Sequence, residues 1–175
     1  YGVGKAAEEP PALVVLSHTP SSTPSQTVAL VGKGIVYDTG GLSIKGKGGM
    51  VGMKMDMGGA AAVLAGFEAA VRGGMKQRLH ALLCLAENSV GPDATRPDDV
   101  ITLYSGKTVE VNNTDAEGRL VLGDGVAYAV KDLKADTIVD MATLTGAQLV
   151  ATGRRHAAIV SNHNKLEAEA VKAGR

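Results

Sequence analysis

The stretch TVALVGKGIVYD, residues 27–38, decides how the rest of the chain is read. It is apolar and β-branched, the composition of a strand. Two glycines, Gly32 and Gly34, interrupt it. Glycine inside a strand marks a bulge or a place where a ligand or another backbone comes close. Between them stands Lys33. A lysine in such a setting is costly unless it is paired, neutral or bound. Asp38 closes the stretch.

Working outward, PALVVLSH (11–18) reads as a short buried strand, and PSSTPSQ (20–26) as a turn rich in Pro and Ser. TGGLSIKGKGGMVG (39–52) is a flexible, glycine-rich connection. MGGAAAVLAGFEAAVRGG (57–74) is a helix of small residues closed by a glycine pair. RLHALLCLAE (78–87) is a buried strand, NSVGPDATRPDD (88–99) a loop, and VITLYSGKTVEV (100–111) a hairpin turning at Ser105-Gly106. A helix comes next, from about Glu117 to Leu133, then a strand at ADTIVDMAT (135–143) and a helical turn in LTGAQLVATG (144–153). RHAAIVSN (155–162) reads as a last strand and KLEAEAVKAG (165–174) as a last helix. Continuous apolar strands alternating with helices argue for an α/β sheet covered on both faces.

Lysine plus arginine equals aspartate plus glutamate at 18 each, which leaves no electrostatic footprint for nucleic acid or an anionic membrane. Aromatics are 3%, so few base-stacking platforms exist. Cys84 is alone, in the apolar run LHALLCLAE, and is read as core rather than nucleophile; a disulfide within the chain is impossible. No apolar run approaches the ~18 residues of a membrane span. The chain starts without Met and stops inside a helical pattern, so a piece of a longer protein is expected.

Four carboxylates fall where a strand or hairpin ends: Asp38, Asp56, Asp115 and Glu117. In open α/β sheets ligands collect at strand ends. Each residue alone has a plain reading. Asp56 suits an N-cap of the small-residue helix, Glu117 suits the N-terminal pole of the next one, and Asp38 suits a turn before Thr39-Gly40-Gly41. Convergence of all four changes the reading, because their repulsion in a low-dielectric cleft calls for divalent cations. Oxygen ligands suit Mg, Mn or Zn, and two such ions activate a shared water. Lys45 and Arg119 are candidates to face developing negative charge; the plain alternatives are a solvated lysine and a salt bridge within the acidic cluster.

Other signals carry less. SGKT at 105–108 lacks the earlier glycine of a phosphate loop, since position 101 is Ile, and neither GxGxxG nor GxSxG occurs. His18, His80, His156 and His163 show no metal-ligand spacing.

Together these segments resemble the leucine aminopeptidase (cytosol aminopeptidase) family. NTDAEGRL (113–120) matches the family signature, and VGKGIVYDTGGLSIK (31–45) and MKMDMGGAA (53–61) match its other metal-site segments. LCLAEN, RPDDV, SGKTVEV and MATLTGA stand in the family's order, while GLSIKGK and ENSVGPDATRPDDV look nearest to the branch called probable aminopeptidase-like proteins. The resemblance implies a mixed, mostly parallel central sheet with helices on both faces. It implies an incomplete catalytic domain over 1–175, with an N-terminal domain and the end of the catalytic domain lying elsewhere in the protein.

The resemblance also implies two divalent metals held by Lys33, Asp38, Asp56, Asp115 and Glu117, with Asp38 and Glu117 touching both. Lys45 and Arg119 are then the catalytic pair, and the arginine holds a bicarbonate that shuttles the proton. Met53 lines the pocket for the first side chain; Thr143, Leu144 and Gly146 line the substrate and bicarbonate region. The implied activity is hydrolysis of N-terminal, leucine-like residues from peptides with a free N-terminus, by a metal-bridging water. A homohexamer in the cytoplasm is implied, without nucleic acid or membrane. The alternative is a catalytically silent relative acting as an oligomeric or nucleic-acid-binding regulator.

Overall fold

The computed structural model describes all residues, Tyr1–Arg175. Strand β2 (Thr27–Asp38) lies inside a four-stranded sheet with β1 (Ala12–His18), β3 (Arg78–Asn88) and β6 (Thr137–Met141), in the order β1-β3-β2-β6. β2 runs parallel to β3 and to β6, while β1 is antiparallel to β3. The sheet is thus mixed and mostly parallel, as expected. A two-stranded hairpin, β4 (Asp99–Thr102) and β5 (Thr108–Val111), turns through Gly106, whose φ of +89° suits glycine.

The short α1 (Lys47–Met50) and a 3₁₀ turn at Met53–Met55 give the glycine-rich connection more order than expected. α2 (Gly58–Arg72) and α3 (Glu117–Lys131) cover opposite faces of the sheet. Ala60 and Val63 of α2 join Ala81 and Leu83 in one buried cluster. Leu122 and Ala129 of α3 join Ala29, Val31, Leu82 and Cys84 in the other. The alternation of β2 therefore sends Ala29 and Val31 toward α3. The strand glycines explain the close approach of α2. A Cβ on Gly32 would lie 2.5 Å from Ala60 Cα.

β1 departs from expectation. It occupies the sheet edge, and its residues are exposed or half-buried rather than buried. Two compact units make up the chain, Tyr1–Leu144 and Thr145–Arg175. The second contains α4 (Ala147–Ala151) and α5 (Asn164–Ala173). His163 caps α5, its Nδ1 accepting from Leu166 N–H at 3.2 Å. The strand expected at 155–162 does not form, and Val160 is 95% exposed. A strand is stabilised by a neighbour's ladder, and this unit has no other strand to supply one.

Candidate metal centre

The site lies where β2 and β3 end. Lys33 sits next after Val31 on the face toward α3, two residues beyond the apolar cluster. Asp38 would point to the opposite face by simple alternation. A bulge corrects this: Ile35 pairs with Ala86 and Tyr37 with Glu87, so Val36 is the extra residue. The shift reverses the parity of the strand residues after Val36. Asp38 then pairs with Asn88 and shares the face of Lys33.

The turn after β2 is tied by Gly40 N–H donating to Asp38 Oδ1 at 2.9 Å, so the expected turn role of Asp38 is real and coexists with the site. Gly40 and Gly41 have φ of +86° and +63°, and a Cβ on Gly41 would crowd Thr114 Oγ1 at 2.9 Å. Thr114 fastens this turn to the signature loop. Its hydroxyl donates to Gly40 O at 2.7 Å and accepts from Ser43 N–H at 2.8 Å, while its own N–H donates to Ser43 Oγ at 3.1 Å.

Within the cluster, Lys33 is 2% exposed, and its Nζ has three acceptors for its three protons. These are Asp56 Oδ2 at 2.8 Å, Glu117 Oε1 at 2.9 Å and Thr143 O at 3.0 Å. Lys45 Nζ lies 3.0 Å from Asp38 Oδ2 and 2.6 Å from Asp115 Oδ1. It is therefore no solvated loop lysine. Burial pulls its pKa down, but the bonds to Asp115 and Asp38 outweigh burial and hold it above the ordinary lysine value. Burial pushes the Glu117 carboxyl up, against the opposing pull of Lys33. Gly118 makes room for this pair, since a Cβ there would lie 2.8 Å from Lys33 Cε.

The plain reading of Asp56 fails. Met57 is the N-cap of α2, and Asp56 ends the 3₁₀ turn with its Oδ1 accepting from Thr143 Oγ1 at 2.7 Å. Glu117 does open α3, as its plain reading requires, but it is 2% exposed and ion-paired. Arg119 is exposed in the first turn of α3 and forms no salt bridge with the acidic cluster, contrary to its plain reading. Met53 is half-buried in the 3₁₀ turn, and Leu144 Cδ1 lies 3.0 Å from where a Gly118 Cβ would be. Gly146 belongs to the second unit and caps α4.

The residues fit divalent cations. Oxygens of Asp38, Asp115 and Glu117 lie within 4.8 Å of one another. Asp56 Oδ2 and Asp115 Oδ1 are buried, and the one polar partner of each is a lysine ammonium. Four carboxylates against two ammonium groups leave a formal excess of two negative charges. Hard oxygen donors in that number suit Mg, Mn or Zn.

Sequence reasoning missed Asn88, Thr114 and Ser43. A polar residue ending the apolar run RLHALLCLAEN, at the same sheet end as Asp38, was the available signal for Asn88.

Over its whole length, residues 1–175, the chain matches the cytosol aminopeptidase family, catalytic domain. The chain belongs to this family. Probable aminopeptidase NPEPL1 of Homo sapiens is 71% identical over 100% of this chain and 33% of its own length. Leucine aminopeptidase 1 of Caenorhabditis elegans is 61% identical over 100% of this chain and 35% of its own. Its solved structure superposes with a TM-score of 0.97 at 60% identity, covering 99% of this chain and 35% of that one. The leucyl aminopeptidase of Trypanosoma brucei, solved in complex with bestatin, gives 0.97 at 58% identity over 100% of this chain and 34% of that one. The chain spans about a third of the length of these relatives. Other relatives in the family are named probable cytosol aminopeptidases, and no helix here is long and apolar enough to cross a membrane.

Proposed function

We propose that the protein carrying this chain is a two-metal aminopeptidase releasing leucine-like N-terminal residues from peptides. The observation that carries this reading is the meeting of Lys33, Asp38, Asp56, Asp115 and Glu117 at one sheet end with an anionic excess. Those five residues would hold two zinc, manganese or magnesium ions, with Asp38 and Glu117 reaching both. Bound there, the ions supply Lewis acidity and lower the pKa of water toward neutrality.

The chain's own groups do the rest. Lys45 keeps its charge, because Asp115 and Asp38 more than offset its burial. It thereby stabilises the oxyanion that develops on the scissile carbonyl. Arg119 is unencumbered by any salt bridge, and its guanidinium would hold a bicarbonate, a group that supplies a proton acceptor when bound. Met53 faces the first side chain, and Thr143 and Leu144 line the substrate and bicarbonate region. Gly146 is assigned to that region on the resemblance alone. A substrate with a free α-amine is required, which makes the activity exopeptidic. A homohexamer for the full protein follows from the family resemblance, and a cytoplasmic place is in keeping with relatives named probable cytosol aminopeptidases. The regulatory, nucleic-acid-binding reading has no supporting observation on a chain of zero net charge.

The test is hydrolysis of aminoacyl amides by the intact protein, before and after chelation, with N-acetylated amides as controls. The expected result is cleavage of leucine amide that is lost on chelation, restored by Mn²⁺ or Zn²⁺ and inhibited by bestatin. Cleavage of acetylated and free amides alike, or cleavage insensitive to chelation, overturns the reading.

A further inference from the structure

We infer that Asn88 is a positioning residue that sets the orientation of the two carboxylates shared between the metals. The inference rests on the metal-site reading above. Asn88 ends β3, is 4% exposed and lies beside Asp38 in the sheet register. Its Nδ2 faces three acceptors. It donates to Asp38 Oδ1 at 2.8 Å, to Thr114 O at 3.1 Å and more loosely to Glu117 Oε2 at 3.4 Å. Three acceptors around one nitrogen fix which end of the amide is which, because the oxygen there would be repelled.

The consequence is a division of labour among carboxylate oxygens. Asp38 Oδ1 and Glu117 Oε2 turn toward Asn88. Their other oxygens, Asp38 Oδ2 and Glu117 Oε1, turn toward Lys45 and Lys33. One neutral amide therefore bridges the two acidic side chains from behind, while the cations approach from the front. A neutral donor is the right chemistry for this place. A second ammonium would compete with the metals for charge, and an apolar side chain would take a donor from each buried carboxylate, leaving Asp38 Oδ1 with Gly40 N–H alone. The backbone of Asn88 contributes too, its carbonyl accepting from Thr39 Oγ1 at 2.7 Å and Thr39 N–H at 3.0 Å. The amide is thus anchored to the turn that carries Asp38. Groups that orient metal ligands in this way change metal affinity by about 10- to 100-fold when removed.

The experiment uses the intact protein with Asn88→Leu, which keeps the branched outline but cannot donate, and Asn88→Ser, which is small and polar. Val63→Ala serves as a control, destabilising the sheet on the α2 face away from the cluster. Mn²⁺ affinity is measured by equilibrium dialysis, and the exchange-coupled signal of a Mn²⁺ pair by electron paramagnetic resonance. The expected result is a loss of about 10- to 100-fold in Mn²⁺ affinity for both Asn88 variants, with an altered pair signal, and wild-type affinity in Val63→Ala. A purely structural role would instead lower thermal stability in all three and leave Mn²⁺ affinity unchanged. Wild-type affinity in either folded Asn88 variant overturns the inference, and if the leucine variant does not fold the serine variant decides. If the wild-type protein binds no Mn²⁺ or Zn²⁺, the metal reading falls and this inference with it. If it binds two ions and the Asn88 variants bind them as tightly, only the role of Asn88 falls.

Discussion

Val31 and Lys33 are two residues apart on the same face of β2, yet they belong to different worlds. Val31 is fully buried among Leu82, Leu122 and Ala129. Lys33 is nearly as buried, but against two carboxylates and a carbonyl. Val31, before Gly32, belongs to the core, while Lys33 and Asp38, after it, belong to the site. Burial alone does not separate them; the chemistry of what each side chain meets does. An apolar residue gains from losing water, whereas a buried ion is tolerated only with partners that replace water.

Changes in the site are expected to remove function while sparing the fold. Lys33→Ala and Glu117→Ala each abolish metal-dependent hydrolysis of leucine amides, read as activity after addition of Mn²⁺. Lys45→Ala is a step smaller. It removes one electrostatic partner of the reacting oxygen and should lower kcat by about 10²–10³-fold at saturating metal.

Changes in the core should do the reverse. Leu82→Ala empties a fully buried position and is expected to cost roughly 2–5 kcal/mol in denaturant unfolding, with kcat per folded molecule unchanged. The smallest effect concerns Cys84. Burial pushes its thiol up to about 12, with Asp124 adding to the shift. The group stays protonated across pH 7–9, so the folded protein should not react with a thiol reagent until it is denatured. Rapid labelling of native protein would place Cys84 outside the core.

Much of this division was legible in the sequence. The order of strands and helices up to Met141 came from apolar runs and glycine punctuation, and the sheet's two covered faces from strands apolar on both sides. The five residues that cluster at the sheet end were legible as acidic residues at strand ends and as a lysine between glycines. The features that were not legible depend on neighbours distant in the chain. The bulge at Val36 is set by pairing with β3, and no local pattern in GIVYD announces it. The edge position of β1 and the failure of 155–162 to form a strand are facts about partners rather than about propensity. Asn88 and Thr114 were hidden because a polar residue at a strand end is ordinary until its acceptors are known.

The central claim is that Asp38, Asp56, Asp115 and Glu117 gather to seat a pair of dications. Anomalous diffraction from crystals of the intact protein grown with Mn²⁺, recorded at the manganese edge, tests it directly. Two peaks about 3.5–4 Å apart, each within bonding distance of these carboxylates, are the expected result. A map with no peak among them, or with manganese bound only elsewhere, would contradict it.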